Sequence, residues 1–327
     1  MAKTKFLVTG GLGLIGHNVV KMLQAKKHEV HVIDAFTTYG TTDKQELENL
    51  YNHRLKKINK NTQIYKEDIC IPEIDQIFAS YQPDVVIHLA SFPREAAVKQ
   101  NPVEAARTMC VGTANILDCC RRAKTKKLVY ISSSMVYGDF DHAKELDQLN
   151  PSGQYSIWKI AGEELVNEYK RTTKQDTVIL RPTAVYGELD ISDRVIGTFF
   201  KRAFENETLN VNGKDETLDF THVDDTAKGI VQASVTNVTG VYNLSRQKPV
   251  KIKDVADKIV KLVGKGKVKV REKQDGMPSR GTLDCEKAKK AFKFAPKIDI
   301  DKGLKTYYGW LKDSIYGTEK TVQSATK

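Results

Sequence analysis

Nowhere in the 327 residues do about 18 uncharged apolar residues follow one another, so no membrane-spanning helix is expected. The opening Met1-Ala2-Lys3-Thr4-Lys5 leads into a short apolar run that stops at Thr9-Gly10-Gly11, without a secretory apolar segment or small-residue cleavage site. Cysteine is sparse: Cys70, Cys110, Cys119, Cys120 and Cys285 are scattered, form no CxxC pair, and Cys119-Cys120 are too close for an ordinary disulfide. That pattern excludes a disulfide scaffold, offers no metal cluster, and fits a reduced, cytoplasmic setting. Aromatics are 8% of the chain and do not interleave with the basic runs Arg121 to Lys127 and Lys265 to Arg271. The net charge of +11 therefore reads as solvated lysine, with no nucleic-acid partner and no membrane expected.

What is present is globular: 40% hydrophobic and 28% charged residues, with length for two domains or one large α/β unit. Short apolar runs at Phe6 to Thr9, Val30 to Asp34, Gln63 to Tyr65, Asp84 to Leu89, Lys127 to Ile131 and Thr177 to Leu180 alternate with segments of helical period. Among those are Ile15-Val19-Val20-Leu23, Glu104 to Arg122 and Tyr155 to Thr172. Continuous apolar strands between helices predict a doubly wound parallel α/β sheet, a Rossmann fold. The rhythm changes after Arg181-Pro182. Residues 1–180 are read as a dinucleotide-binding domain and 181–317 mainly as a smaller C-terminal α/β substrate domain, with part of 219–245 returning to the first. Residues 318–327 read as a frayed tail. The polar stretch 37–62 predicts an amphipathic helix carrying Leu47, Leu50 and Leu55.

Between the first strand and first helix stand Gly10, Gly13 and Gly16, flanking Leu14 and Ile15. Glycines there permit a tight turn and let backbone N–H groups approach a pyrophosphate at a helix N-terminus. Asp34 ends the next strand, where a carboxylate binds adenosine ribose hydroxyls and repels a 2′-phosphate. Ala35-Phe36-Thr37-Thr38 supply no base, so NAD is favoured over NADP. Asp68-Ile69, after the third strand, reads either as a contact to the adenine amino group or as an ordinary strand end. Tyr155 and Lys159 lie four apart on one helix face, and an ammonium near a phenol favours phenolate and proton exchange near neutral pH. Ser132-Ser133-Ser134 end the preceding strand, at the edge where such sheets bind ligands.

With these residues, and with His88-Leu89-Ala90, Val136-Tyr137-Gly138, Leu180-Arg181-Pro182, Val185-Tyr186-Gly187 and Asp219 to Asp225, the chain resembles the extended short-chain dehydrogenase/reductase family. It is similar to the nucleotide-sugar epimerase/dehydratase branch, UDP-glucose 4-epimerases in particular. The resemblance implies a Ser–Tyr–Lys set, and the family's catalytic hydroxyl, four residues before the tyrosine of Val136-Tyr137-Gly138, is Ser133 here. Tyr155 would be the acid/base, and Lys159 would tune it and hold the nicotinamide ribose. Gly10, Gly13, Leu14, Ile15, Gly16, Asp34, Asp68 and Ile69 would hold NAD, with Leu89 and Ala90 lining its path and Pro182 beside the nicotinamide. Ser133, Ser134, Tyr155 and Arg280 would meet a nucleoside-diphosphate sugar.

Family members that eliminate water or CO₂ carry acidic residues directly after the catalytic hydroxyl; here those positions are Ser134 and Met135. By elimination a C4 epimerase is expected, with a dehydrogenase or 4-ketoreductase as the enzyme alternative and an NAD-binding scaffold or sensor as the non-enzyme one. Ala184, Leu218 and Met109 replace an Asn, an Arg and an Asn usual in the family, so Arg280, or Arg271, is expected to supply charge for the diphosphate. His88 reads as structural rather than as a base, and His222 as no metal ligand. Asp224 or Asp225 is expected to cap the helix that follows. The resemblance also implies a homodimer, built from the helix around Glu104–Arg122 and the Tyr155 helix.

Overall fold

A computed structural model describes residues 3–37, 43–273 and 278–314; Thr38 and the expected tail at 318–327 lie outside them. Strands β1 (Lys5–Thr9), β2 (Glu29–Ile33), β3 (Ile64–Tyr65), β4 (Val85–His88) and β5 (Lys127–Ile131) join strands Asp176–Pro182 and Gly240–Leu244 in one parallel seven-stranded sheet. From one edge the order is Gly240–Leu244, Asp176–Pro182, β5, β4, β1, β2, β3. The chain winds outward from β1 to β3, then returns to β4 on the other side of β1. That reversal opens a crevice past the carboxyl ends of β1 and β4, where this fold binds ligands. Every residue of β4 and β5 is buried, which explains their unbroken apolar runs.

Helices cover both faces. One face packs helix α1 (Leu14–Ala25) and helix Val223–Val235 around Val8, Val20, Val129 and Ile230. Helix α2 (Lys44–Leu55) sets Tyr51 and Leu55 against that same core, while the other face packs helix α3 (Ile74–Tyr81), followed by Thr113–Arg122 and Gln154–Thr173, with Phe78, Ile116, Leu128 and Val166 at its centre. A separate core joins Phe199, Phe200, Leu209, Phe220, Ile259, Leu304 and Tyr307, where the Phe200 and Tyr307 rings stack at 5.2 Å. Strand Gly240–Leu244 and helix Val223–Val235 belong to the main sheet, and so do Leu283, Cys285, Ala288 and Phe292. The chain therefore crosses between the two cores more than once after residue 181.

The helical segment from Glu104 to Arg122 is not one helix. Helix Pro102–Ala106 passes through a π-helical turn, Arg107–Gly112, into Thr113–Arg122. The turn brings Thr113 beneath the sheet edge, where its hydroxyl donates to Met109 O at 2.7 Å and accepts from His88 Nε2 at 3.1 Å. His88 Nδ1 accepts from Thr9 Oγ1 at 2.7 Å, so the ring is held neutral between two threonines, as a structural histidine.

Burial pushes His88 down to about 3, helped by the Lys159 charge, and burial does the same to His17, followed by Arg54 nearby. Between about pH 3 and 6.5 the unfolded chain binds protons that the folded chain refuses, so stability falls as pH falls through 6.5. Each ring contributes about 1 kcal/mol per pH unit. Urea unfolding at pH 5 is expected to give a stability roughly 3 kcal/mol below that at pH 7. His17→Gln should remove about half of the drop, and an unchanged drop would contradict this origin.

Candidate active site

The glycine loop is shaped by contacts that admit no side chain. Gly10 has φ +66°, and a Cβ there would lie 2.7 Å from Ala90 N. At Gly16 a Cβ would meet Gly10 O at 2.2 Å, so the first turn of α1 closes directly on the loop. A Cβ on Gly13 would find only Gly10 O, at 3.2 Å. Gly13 is the N-cap of α1, which has no side-chain cap and no acid in its first turn. Leu14 and Ile15 open that turn, whose N–H groups suit an anion. These features fit a dinucleotide pyrophosphate. Gly16→Ala is expected to cost about 1–3 kcal/mol through overpacking. Where loop displacement absorbs that cost, NAD binds roughly tenfold or more weakly, measurable by calorimetry.

Asp34 follows β2 and is buried, its Oδ2 accepting from Leu12 N–H at 2.8 Å and its Oδ1 from Phe36 N–H at 2.9 Å. Burial raises its pKa and these two donors counter the rise. Each oxygen keeps a second lone pair for a ribose hydroxyl. Asp68 Oδ1 accepts from Cys70 N–H, and Arg107 stands 3.6 Å from Oδ2. Ile69 packs where Gly112 leaves room, and its carbonyl accepts from Asn115 Nδ2 at 2.8 Å. Leu89 and Ala90 continue β4 at the crevice, with Ala90 N–H bonded to Thr9 Oγ1. Pro182 ends its strand beside Leu244.

Arg54 escaped the sequence reading. Its buried guanidinium donates to Leu12 O in the glycine loop and twice to Leu189 O in the far segment. Leu47, Leu50 and Arg54 share the spacing of one helix face, which was the available signal.

The three serines after β5 divide by the alternation of an extended chain. Ser132 points into the protein, donating to Glu163 Oε1 at 2.5 Å. Ser133 caps the turn Ser134–Tyr137, where its Oγ accepts from Met135 N–H, and its hydroxyl is near enough to the Tyr155 phenol to lower that group's pKa. Ser134 is buried beside it. Burial raises the Tyr155 pKa, while the Ser133 hydroxyl, then Arg194 and Arg280, lower it.

Lys159 lies one helical turn after Tyr155 and reaches the end of β5. Its Nζ donates to Ile131 O at 2.8 Å and lies 5.9 Å from the Tyr155 ring centre, and burial lowers it to about 7.

Arg280, on strand Arg280–Leu283, brings a buried guanidinium to this centre, with Nη1 3.2 Å from Met135 Sδ and Nε without a partner. Such a cation suits an arriving anion. Arg271 lies exposed on strand Lys267–Arg271, and Ala184 stands at φ +40°. The expected caps at Asp224 and Asp225 are corrected. His222 caps that helix, accepting from Asp224 N–H at 3.2 Å, while Asp225 turns inward to accept from Lys297 and Ile298 N–H. No metal-binding group occurs among the described residues.

Known proteins share this arrangement. The sequence pattern of the NAD dependent epimerase/dehydratase family matches residues 6–245. UDP-glucuronate 4-epimerase of Thermodesulfobacterium geofontis is 29% identical, covering 95% of this chain and 97% of its own. UDP-glucuronic acid decarboxylase 4 of Arabidopsis thaliana is 28% identical, covering 98% of this chain and 72% of its own. A crystal structure of UDP-glucuronic acid 4-epimerase from Bacillus cereus, in complex with UDP-glucuronic acid and NAD, matches with a TM-score of 0.87 and 27% identity, over 95% of this chain and 99% of that one. The match over residues 6–245 carries the conclusion: the chain belongs to the NAD-dependent epimerase/dehydratase family.

Proposed function

We propose that this protein is an NAD-dependent nucleoside-diphosphate-sugar epimerase that inverts C4 of a UDP-sugar. The observation that carries the reading is the Ser133 hydroxyl beside the Tyr155 phenol, next to two positions, Ser134 and Met135, that hold no acid. Gly10, Gly13, Leu14, Ile15, Gly16, Asp34, Asp68, Ile69, Leu89, Ala90, Lys159 and Pro182 would hold NAD, which supplies a hydride acceptor and donor at the sugar's C4. Tyr155 takes the proton of the C4 hydroxyl and returns it after the ring has turned over. Ser133 bonds the same oxygen and holds it against the phenol. Arg194 and Arg280 favour the phenolate that must form, and their charge persists through the cycle. Met135 holds no carboxylic acid at the position where one would remove or return a proton at C5 beside the ketone. The ketone is then reduced from its other face.

Arg280 is assigned to the substrate's anionic portion, and the ligands of the similar Bacillus cereus structure support a UDP-sugar there. The apolar side chains of Val103 (82% exposed), Val111 (56%) and Ile157 (46%) lie on the elements that would pair in a homodimer. The five free cysteines favour a reducing, cytoplasmic compartment.

The reading is tested by incubating the purified protein with UDP-, dTDP-, GDP- and CDP-sugars without added NAD. A C4 epimer of unchanged mass is expected. A product lighter by water or CO₂ would overturn the epimerase, and accumulating NADH would establish a dehydrogenase instead.

A further inference from the structure

Two adjacent residues that no motif marks fasten two segments of the reacting centre. Tyr155 is the second residue of helix Gln154–Thr173, whose N-cap, Gly153, offers no side-chain bond. Glu95 reaches in from another element to supply it. Its Oε2 accepts from Tyr155 N–H at 2.8 Å and its Oε1 from Gln154 N–H at 3.3 Å. A Cβ on Gly153 would lie 2.6 Å from that carboxylate, so the glycine and the acid are matched. A carboxylate is well suited here, because the first N–H groups of a helix lack partners and the dipole is positive.

Arg94 turns to a different segment. Both of its Nη atoms donate to the Asp193 carboxylate, a bidentate pair bridging 99 residues of sequence. Asp193 directly precedes Arg194, the guanidinium that acts on Tyr155 and also pairs with Asp190 at 3.4 Å. A fork-to-carboxylate pair fixes orientation as well as distance. Residues 94 and 95 thus tie the start of the Tyr155 helix and the segment that carries Arg194 to one point of the chain.

We propose that Arg94 and Glu95 are positioning residues for the C4 reaction: Glu95 sets Tyr155 against Ser133, and Arg94 sets Arg194 through Asp193. This rests on the epimerase reading. Misplacement of a reacting group by about 1 Å can cost on the order of 100-fold in rate. The NAD-containing enzyme and its Glu95→Ala, Glu95→Gln, Arg94→Gln and Asp193→Asn variants are assayed with UDP-glucuronic acid and UDP-glucose. Amide hydrogen exchange at Gln154 and Tyr155 is measured alongside.

Glu95→Ala should lower kcat by roughly 10- to 100-fold with KM little changed, and raise exchange at both amides. Glu95→Gln should recover most of kcat, since its amide oxygen still accepts. Arg94→Gln and Asp193→Asn should lower kcat alike, and the double variant no further. Unchanged kcat and exchange in Glu95→Ala would overturn the proposal, and so would equal impairment of the Ala and Gln variants in kcat and KM together. Faster exchange in Glu95→Ala, in an enzyme that converts no nucleotide sugar, would keep Glu95 as the anchor of Tyr155 and discard the epimerase reading.

Discussion

Tyr155→Phe should lower kcat for C4 epimerisation by about 10³-fold, roughly 4 kcal/mol of barrier, while NAD and the nucleotide sugar still bind. The substitution removes one oxygen from a buried ring and leaves its packing in place. What is lost is the hydroxyl that stands beside Ser133 and feels Arg194 and Arg280. Burial alone would hold that phenol above its ordinary pKa, where it is a poor base; the Ser133 hydroxyl and the two arginines work against burial. Removing one of these cations should therefore move the limb on which kcat rises with pH to higher pH. Arg280→Met combines this shift with a higher KM, whereas Lys159→Met should act mainly on NAD binding, because its Nζ is turned toward Ile131 O. Steady-state kinetics against pH, with calorimetric titration of both ligands, check all three variants. A Tyr155→Phe enzyme with more than a tenth of normal kcat would remove the phenol from the proton's path.

The largest effect on stability is expected at Glu163. Its carboxylate accepts from Arg181 Nε at 2.9 Å and Nη2 at 2.6 Å, and from Ser132 Oγ. Both members of the pair are almost fully buried, at 4% and 2% exposure. Arg181 also donates to Tyr137 Oη at 2.8 Å and to Glu145 O at 3.1 Å. Removing one partner strands a charge away from water, at about 3–5 kcal/mol. Glu163→Ala should accordingly lower Tm by roughly 10 °C in a chain of this size. Replacing both charges, as Glu163→Met with Arg181→Met, should restore much of that loss, since no unpaired charge remains. Thermal unfolding of the two single variants and the double variant checks this; a double variant as unstable as the sum of its singles would contradict it. The pair also lies behind Ser133: Ser132 is tied to Glu163 while Ser133 faces the cleft, so the same network directs the end of β5.

Much of the site was legible from local chemistry. Glycines that cannot carry a Cβ, an acid at the end of β2, and a Tyr and Lys one helical turn apart are each constrained within a few residues of their own position. The strands were legible because burial on both faces leaves continuous apolar runs. Less legible was anything set by residues distant in sequence. The direction of the Lys159 ammonium depends on a carbonyl 28 residues earlier, and the cations that act on Tyr155 come from Arg194 and Arg280. The π-turn at Arg107–Gly112 keeps a helical period while shifting its phase, so periodicity could not separate it from the helices on either side. Asp225 follows the local rule for a helix cap, but two N–H groups more than 70 residues away claim its carboxylate. Glu95 and Arg94 form no motif, because their partners lie 60 and 99 residues on.

The account's central claim is that the hydrogen on C4 leaves the sugar and returns to the same carbon on the other face. UDP-glucuronic acid and UDP-glucose carrying deuterium at C4 can be incubated with the enzyme in ordinary water and followed by NMR. The account predicts a C4 epimer that retains its deuterium at C4, with no deuterium appearing in water and none gained or lost at C5. Loss of the label to solvent, or incorporation of solvent hydrogen at C5, would contradict it.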